Sequence, residues 1–214
     1  MILYASLTEW CIAIIVYILT GTLGITMTYH RLLSHKSWKC PAILEKFFVL
    51  LATITMSGSA IVWVSVHRSH HQHTDTELDP HSPLYNGFIK TQWGSMFINM
   101  KKRNVVDLLR QSFYVFQHHH YFTILLTWTL FLFIIDPFAI VYAFLMPAML
   151  VWNMGSAIFT FSHRKGKPHN DLILALTSWG EGYHHNHHTD PLNKRFGKYD
   201  IGGIFIEGIE NVTN

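Results

Sequence analysis

The sequence predicts an all-α, integral-membrane helical bundle of about three spanning helices plus one re-entrant or interfacial helix, topped by a cytoplasmic, histidine-rich cap. Three observations lead there. Half of the 214 residues are hydrophobic and only 14% are charged, too apolar for an ordinary soluble domain. The apolar residues gather into runs of about 20, the length that crosses ~30 Å of hydrocarbon. Sixteen histidines, as many as Lys and Arg together, lie mostly at or beyond the ends of those runs.

Residues 1–214 read as a single domain. The first span is placed at 10–29, an uncharged stretch that ends against His30. The segment 47–66 is long enough to cross but carries Thr53, Thr55, Ser57, Gly58, Ser59 and Ser65, so periodicity alone does not place it. Two further spans, 121–135 and 138–161, form a hairpin around Asp136-Pro137, where an acid and a helix-breaking imide suit a tight connection. The cap is then 30–46, 67–120 and 162–214.

Charge decides the ambiguous segment. Lys36, Lys39 and Lys46, the Lys101-Lys102-Arg103 group with Arg110, Arg164, Lys165 and Lys167, and Lys194, Arg195 and Lys198 share one side if 47–66 does not cross. Residues 1–9 and the Asp136 turn hold no Lys or Arg, the asymmetry of the positive-inside rule. The segment 47–66 is therefore read as re-entrant or interfacial, and the cap as cytoplasmic. The N-terminus has neither the charged region nor the small-residue cleavage site of a secretory signal, so the first apolar run is expected to stay as an anchor. Cys11 and Cys40 form no disulfide framework and no CxxC knuckle. A net charge of +3 with dispersed basic residues argues against nucleic-acid binding.

Function is sought in the histidines. His67, His70 and His71 stand at i, i+3 and i+4, which converge on one face of a helix, and His184, His187 and His188 repeat the pattern. His30 and His35 are five apart, about 140° around an α-helix, and converge only if the helix frays past the membrane edge. Eight imidazoles at span ends supply two metal ions; a shell without thiolate suits iron, zinc or copper better than magnesium or calcium. Of the rest, His118, His119 and His120 read as a polar collar before a span. His185 is out of phase with its neighbours, and His73 and His81 read as loop residues.

HRLLSH, HRSHHQHTDTELDPH and GEGYHHNHH resemble the three histidine boxes of the membrane fatty acyl desaturases, and the resemblance extends to GITMTYHRLLSH, the DPH tail and the GEG flank. It implies two non-haem irons, O2 as co-substrate, and removal of two hydrogens from neighbouring methylenes of a long acyl chain. The implied metal ligands are His30, His35, His67, His70, His71, His184, His187 and His188, with His163 as a ninth. In many relatives an Asn four residues before that ninth histidine contributes through a water; here the position is Phe159. Trp63 matches a position lining the acyl tunnel. Arg68, or Lys101, Lys102 and Arg103, are candidates to meet a phosphate-bearing head such as coenzyme A. Asp75, Asp79, Glu181 and Asp190, with Glu77, are candidates to accept the outer N–H of ligating imidazoles.

The resemblance also implies a separate electron donor, ferredoxin or cytochrome b5, whose acidic surface would suit the basic cap. Relatives carry a further hydrophobic span before the first box. Its absence here leaves two readings, replacement through self-association into a homo-oligomer or an inactive homologue. Hydroxylases and ketolases resemble the same three-box scaffold and form the nearest alternative. A histidine-rich metal transporter would place its ligands near the midplane of the spans, which these boxes do not.

Overall fold

A computed structural model describes residues 6–94 and 98–213, and among these residues it is all-helical. Helix α1 (Leu7–Leu19) starts at a capping box, in which Ser6 Oγ accepts the Glu9 N–H and the Glu9 carboxylate accepts that of Ser6. It runs without a break into a π-helical segment, Thr20–His35, closed by Lys36 in the left-handed conformation. Leu7–His35 is a 29-residue helix apolar enough to cross a membrane, longer at both ends than the predicted 10–29.

The π winding changes the account of the first histidine box. A π-helix bonds i to i+5, so residues five apart share a face. The Thr28 and Ser34 hydroxyls donate to the carbonyls of Leu23 and Tyr29, each five residues back. His30 and His35 therefore meet, with ring centroids 4.9 Å apart, on a wound helix and not by the fraying that α-helical geometry demanded.

The segment 47–66 is two helices. α2 (Ala42–Thr53) and α3 (Ala60–His73) are separated by a break in which Met56 and Gly58 take positive φ values of 59° and 97°. With 12 and 14 residues they reach about 18 and 21 Å, each short of a ~30 Å core. Ser59 caps α3 by accepting the Val62 N–H. Helix α2 lies against the π segment so closely that a Cβ on Gly24 would stand 2.7 Å from the Ala52 nitrogen.

Short helices α4 (Pro83–Asn86), α5 (Phe88–Trp93) and α6 (Val106–Leu109) cross the cap. α7 (Ser112–His119) and α8 (Tyr121–Ile135) form a pair bent by 68°. α8 alone is 15 residues, about 22 Å, so the predicted span 121–135 reaches crossing length only together with α7. The chain reverses at Asp136, whose carboxylate accepts the Phe138 N–H and the Tyr142 hydroxyl. A π turn, Val141–Leu145, then leads into α9 (Met146–Ser162), and Val141–Ser162 is the second helix fit to cross. α10 (Leu172–Thr177), α11 (His184–Thr189) and α12 (Ile201–Thr213) complete the described chain. The main core packs Ile25, Met27 and Tyr29 of the π segment against Val49 and Ala52 of α2 and Ile61 and Val64 of α3. Phe122, Leu126, Ile134 and Ile135 of α8 face outward, the composition of a lipid-contacting surface.

Arg68 holds this frame together. Its guanidinium forms a bidentate pair with Asp107 and donates to the carbonyls of Leu33, Ser34 and Asn104. Burial would raise the Asp107 carboxyl, but Arg68 and Lys36 hold it well below its usual range. Because the π segment and α2 touch backbone to backbone at Gly24, Gly24→Ala is expected to cost roughly 1–3 kcal/mol, read as a lowered melting temperature of the purified protein.

Candidate metal centre

Four pieces of chain deliver histidine to one place: the end of the π segment, α3, the C-terminal cap of α9 and α11. Each helical triplet is divided. His67 and His71 of α3 join His187 of α11 with His30 and His35, while His70 joins His184 and His188 with His163. Within each group the ligand atoms lie within 4.8 Å of one another. All nine predicted histidines are thus brought together, as one group of five and one of four.

The ring nitrogens show what these groups are for. Inside the five-histidine group the Nε2–Nε2 separations are 3.1 Å for His30–His187, 2.8 Å for His35–His67 and 2.9 Å for His71–His187. Inside the four-histidine group they are 3.3 Å for His70–His188, 2.8 Å for His163–His184 and 3.1 Å for His184–His188. Two nitrogens about 2.1 Å from one ion stand about 3.0–3.4 Å apart. The spacing therefore fits imidazoles that share an ion.

Tautomers point the same way. The Nδ1 atoms of His30, His70 and His163 lie 2.8, 2.9 and 2.9 Å from carboxylate oxygens of Glu181, Asp79 and Asp75. An ionised carboxylate only accepts, so the proton sits on Nδ1 and the Nε2 lone pair faces inward. Lone pairs directed at one another repel unless a cation lies between them. A nine-imidazole, thiolate-free set suits iron, zinc or copper.

Burial first, and then the neighbouring histidines, push His67, His70, His184 and His187 well below the ordinary imidazole range, and His71 to about 3. The rings are held neutral, the form that binds metal. The carboxylates are not equivalent. Asp75 and Asp79 face histidines of the four-membered group, whereas Glu181 is shared between His30, the fully buried Arg31 and the Thr26 hydroxyl. Burial would raise Glu181, but His30 and Arg31 hold it below its usual range. Arg31 also pairs with Asp200 at 3.0 Å and lies over the Phe196 ring, which in turn packs on His187.

A cavity of about 360 Å³ adjoins the metal groups, and its lining includes His30, His67, His184, Trp63, Phe159 and Gly155. Trp63 lies flat over His67, with ring centroids 5.0 Å apart. Phe159 faces His70 at 5.2 Å and stacks on His81 at 4.0 Å. Its position beside both groups is filled by a hydrocarbon ring. His81, read from sequence as a loop residue, is 5% exposed in this cavity, and its Nδ1 has no partner among the described residues. His118 also faces the cavity and bonds Ser59 at 2.7 Å, so it is not only a collar residue.

Three predicted residues lie elsewhere, among them Glu77, which is exposed and meets no histidine among the described residues. The guanidinium of Arg68 is taken up by Asp107 and three carbonyls, and Arg68 is not among the cavity-lining residues. Asp190 is exposed at the end of α11 and meets no histidine among the described residues. Arg31 and Asp200 were not reached from the sequence. Buried charge in an apolar chain was the available signal, but 169 residues separate the partners.

Removing a carboxylate that orients a ligating imidazole costs about 10–100-fold in metal affinity. Asp79→Asn is therefore expected to weaken one of two metal equivalents by that factor, read by competition with a chromophoric chelator. The histidines also set a pH dependence. The folded values of His67, His70, His71, His184 and His187 lie below the unfolded value of about 6.5, so on acidification the unfolded chain takes up protons that the folded one refuses. Stability of the metal-free protein is expected to hold above that value and to fall as pH drops through it toward the folded value of about 3 for His71, measured as denaturation midpoints across the range.

No family model matches the chain. Curated relatives do. It is 36% identical over 201 residues to an acyl-CoA C20 Delta5-desaturase of Anemone leveillei, covering 85% of this chain and 63% of the relative. It is 34% identical to Delta-9 acyl-lipid desaturase 1 of Arabidopsis thaliana, covering 93% and 71%, and 32% identical to an sn-2 palmitoyl-lipid 9-desaturase of Nostoc sp. (strain 36), covering 81% and 67%. The chain spans just over half to about two thirds of the length of the first relatives it matches, 53% to 64%. Alignment of this extent, together with the paired histidine groups and the membrane-length helices, places the chain in the fatty acid desaturase family.

Proposed function

We propose that this protein is an O2-dependent fatty acyl desaturase, built on two irons, that introduces a double bond into a long acyl chain carried on coenzyme A or on a lipid. The observation that carries the reading is the cavity, which reaches the metal-ligating His30, His67 and His184 along a wall of Trp63 and Phe159. Relatives named as acyl-CoA and as acyl-lipid desaturases support it. Overall, RCH2–CH2R, O2, two electrons and two protons give RCH=CHR and two waters.

Bound iron would supply the O2 chemistry that removes hydrogen from an unactivated methylene. His30, His35, His67, His71 and His187 would hold one ion, and His70, His163, His184 and His188 the other. Glu181, Asp79 and Asp75 keep the protons of His30, His70 and His163 on Nδ1, so that the metal-facing nitrogens stay available. Trp63 and Phe159 present hydrocarbon to the acyl chain and keep water from the ligand rings.

Electrons would come from a separate ferredoxin or cytochrome b5, guided by the basic residues of a cytoplasmic cap. Lys101, Lys102 and Arg103 remain the candidates for a phosphate-bearing head. The Lys101 ammonium donates to Ser69, and Lys102 and Arg103 are exposed.

Expression in a desaturase-deficient host, with double bonds mapped in its lipids, tests the reading. New alkenes at one position are expected, lost in His67→Ala. Hydroxy or keto lipids without alkenes would overturn it in favour of hydroxylation. Purified protein should contain two irons per chain and lose activity on chelation, regaining it with ferrous iron but not with magnesium.

A further inference from the structure

Helix α9 shows the cavity one continuous stripe: Val151, Trp152, Gly155, Ser156, Ile158 and Phe159. The spacing i, i+1, i+4, i+5, i+7, i+8 is one face of an α-helix. Phe159 marks the metal end, being in ring contact with His70 and His184. Gly155 lies four residues, about 6 Å of rise, further along the wall. On α3 the cavity-lining Trp63 likewise stands four residues from His67. Trp63 is thus one turn from a histidine of the metal groups, and Gly155 one turn from Phe159 and two from His163.

Glycine weakens a helix interior relative to alanine, so a glycine within a 17-residue helix calls for a reason. Backbone conformation supplies none, since Gly155 is not among the positive-φ glycines. Close packing supplies none either. A Cβ on Gly21 would stand 2.0 Å from the Trp179 ring and one on Gly24 2.7 Å from the Ala52 backbone, whereas a Cβ on Gly155 meets nothing within 4 Å among the described residues. What the missing side chain leaves is open cavity.

We propose that Gly155 is a specificity-determining position, the point one helical turn beyond Phe159 where the bore is kept wide enough for an alkyl chain to pass. This rests on the reading of the cavity as an acyl site, and it identifies the ligand at that depth as a methylene chain threaded between α9 and α3. A side chain here would narrow the bore without disturbing the helix. The consequence is graded by length. Chains short enough to end before Gly155 bind as before, and chains that must pass it are excluded, whichever end enters first.

The test uses the full chain in lipid nanodiscs, with displacement of a fluorescent polyene fatty acid by octanoate, dodecanoate and octadecanoate, and with thermal melting. Gly155→Ala is expected to melt no lower than the wild type and to bind octadecanoate more weakly. Gly155→Leu is expected to lose at least about tenfold for octadecanoate, because every methylene kept out of the bore forfeits its burial. Octanoate should change by less than about twofold in both variants. Equal losses for all three ligands, unchanged octadecanoate binding in Gly155→Leu, or a wild type that binds no polyene would each overturn the proposal. Binding requires neither iron nor O2, so a wild type that shows the length-graded pattern but forms no alkene would leave this inference standing and remove the proposed reaction.

Discussion

Nine imidazole lone pairs aimed at two points are the constraint on which the rest of this structure depends. Such an array is unfavourable in itself, since its nitrogens are withdrawn from water and directed at one another, and burial holds His70 and His187 neutral. It persists because rigid elements leave the rings little freedom to turn away. Three rings are pinned by carboxylates on their outer nitrogens, and His67 is held flat beneath Trp63. The segments that carry the rings are tied by two arginines. Arg68 joins α3 to the end of the π segment and to Asp107, and Arg31 joins the π segment to Glu181 and Asp200. A metal ion between the lone pairs converts stored repulsion into binding energy, so folding and metal affinity are two sides of one arrangement.

How much of this was legible depended on whether a local period carried it. The two HxxHH triplets were readable because 100° per residue brings i, i+3 and i+4 onto one face, and α3 and α11 are the helices that arithmetic assumes. The same arithmetic failed for His30 and His35, whose helix is wound to a different period. Nothing in TGTLGITMTYHRLLSH announces π winding, although Thr28 and Ser34 bond five residues back once it is in place. His163 lies at a helix cap with no period around it, and only resemblance pointed to it.

Charged side chains were the less legible part, for a different reason. A carboxylate near a histidine box in sequence is near it in space only if the intervening turn folds back. The turn after α3 does so, since Asp75 takes a φ of 57° and donates its N–H to Asp79, which aims one acid at His163 and the other at His70. The turn after α11 runs outward and leaves Asp190 exposed. Arg68 illustrates the converse. As an arginine inside a histidine box it suggested a ligand for phosphate, but four of its neighbours in space are backbone carbonyls and a carboxylate, which consume every donor the fork offers.

The carboxylates also make the two metal positions chemically unequal. A carboxylate on Nδ1 raises the basicity of the imidazole behind it and so pushes electron density toward the metal. Two of the four rings in one group have such a partner, each on its own acid. One of the five in the other group has one, and that acid divides its charge between His30 and Arg31. Arg31, fully buried and balanced further by Asp200, thus withdraws from the five-histidine position part of what Glu181 gives. The group with fewer imidazoles is the one whose imidazoles are better donors, and the position beside it, where a polar side chain would add a ligand, is covered by Phe159. Unequal coordination and unequal donor strength therefore act in opposite directions, which would let two groups of different ligand number hold ions of like charge, as the proposed reaction requires.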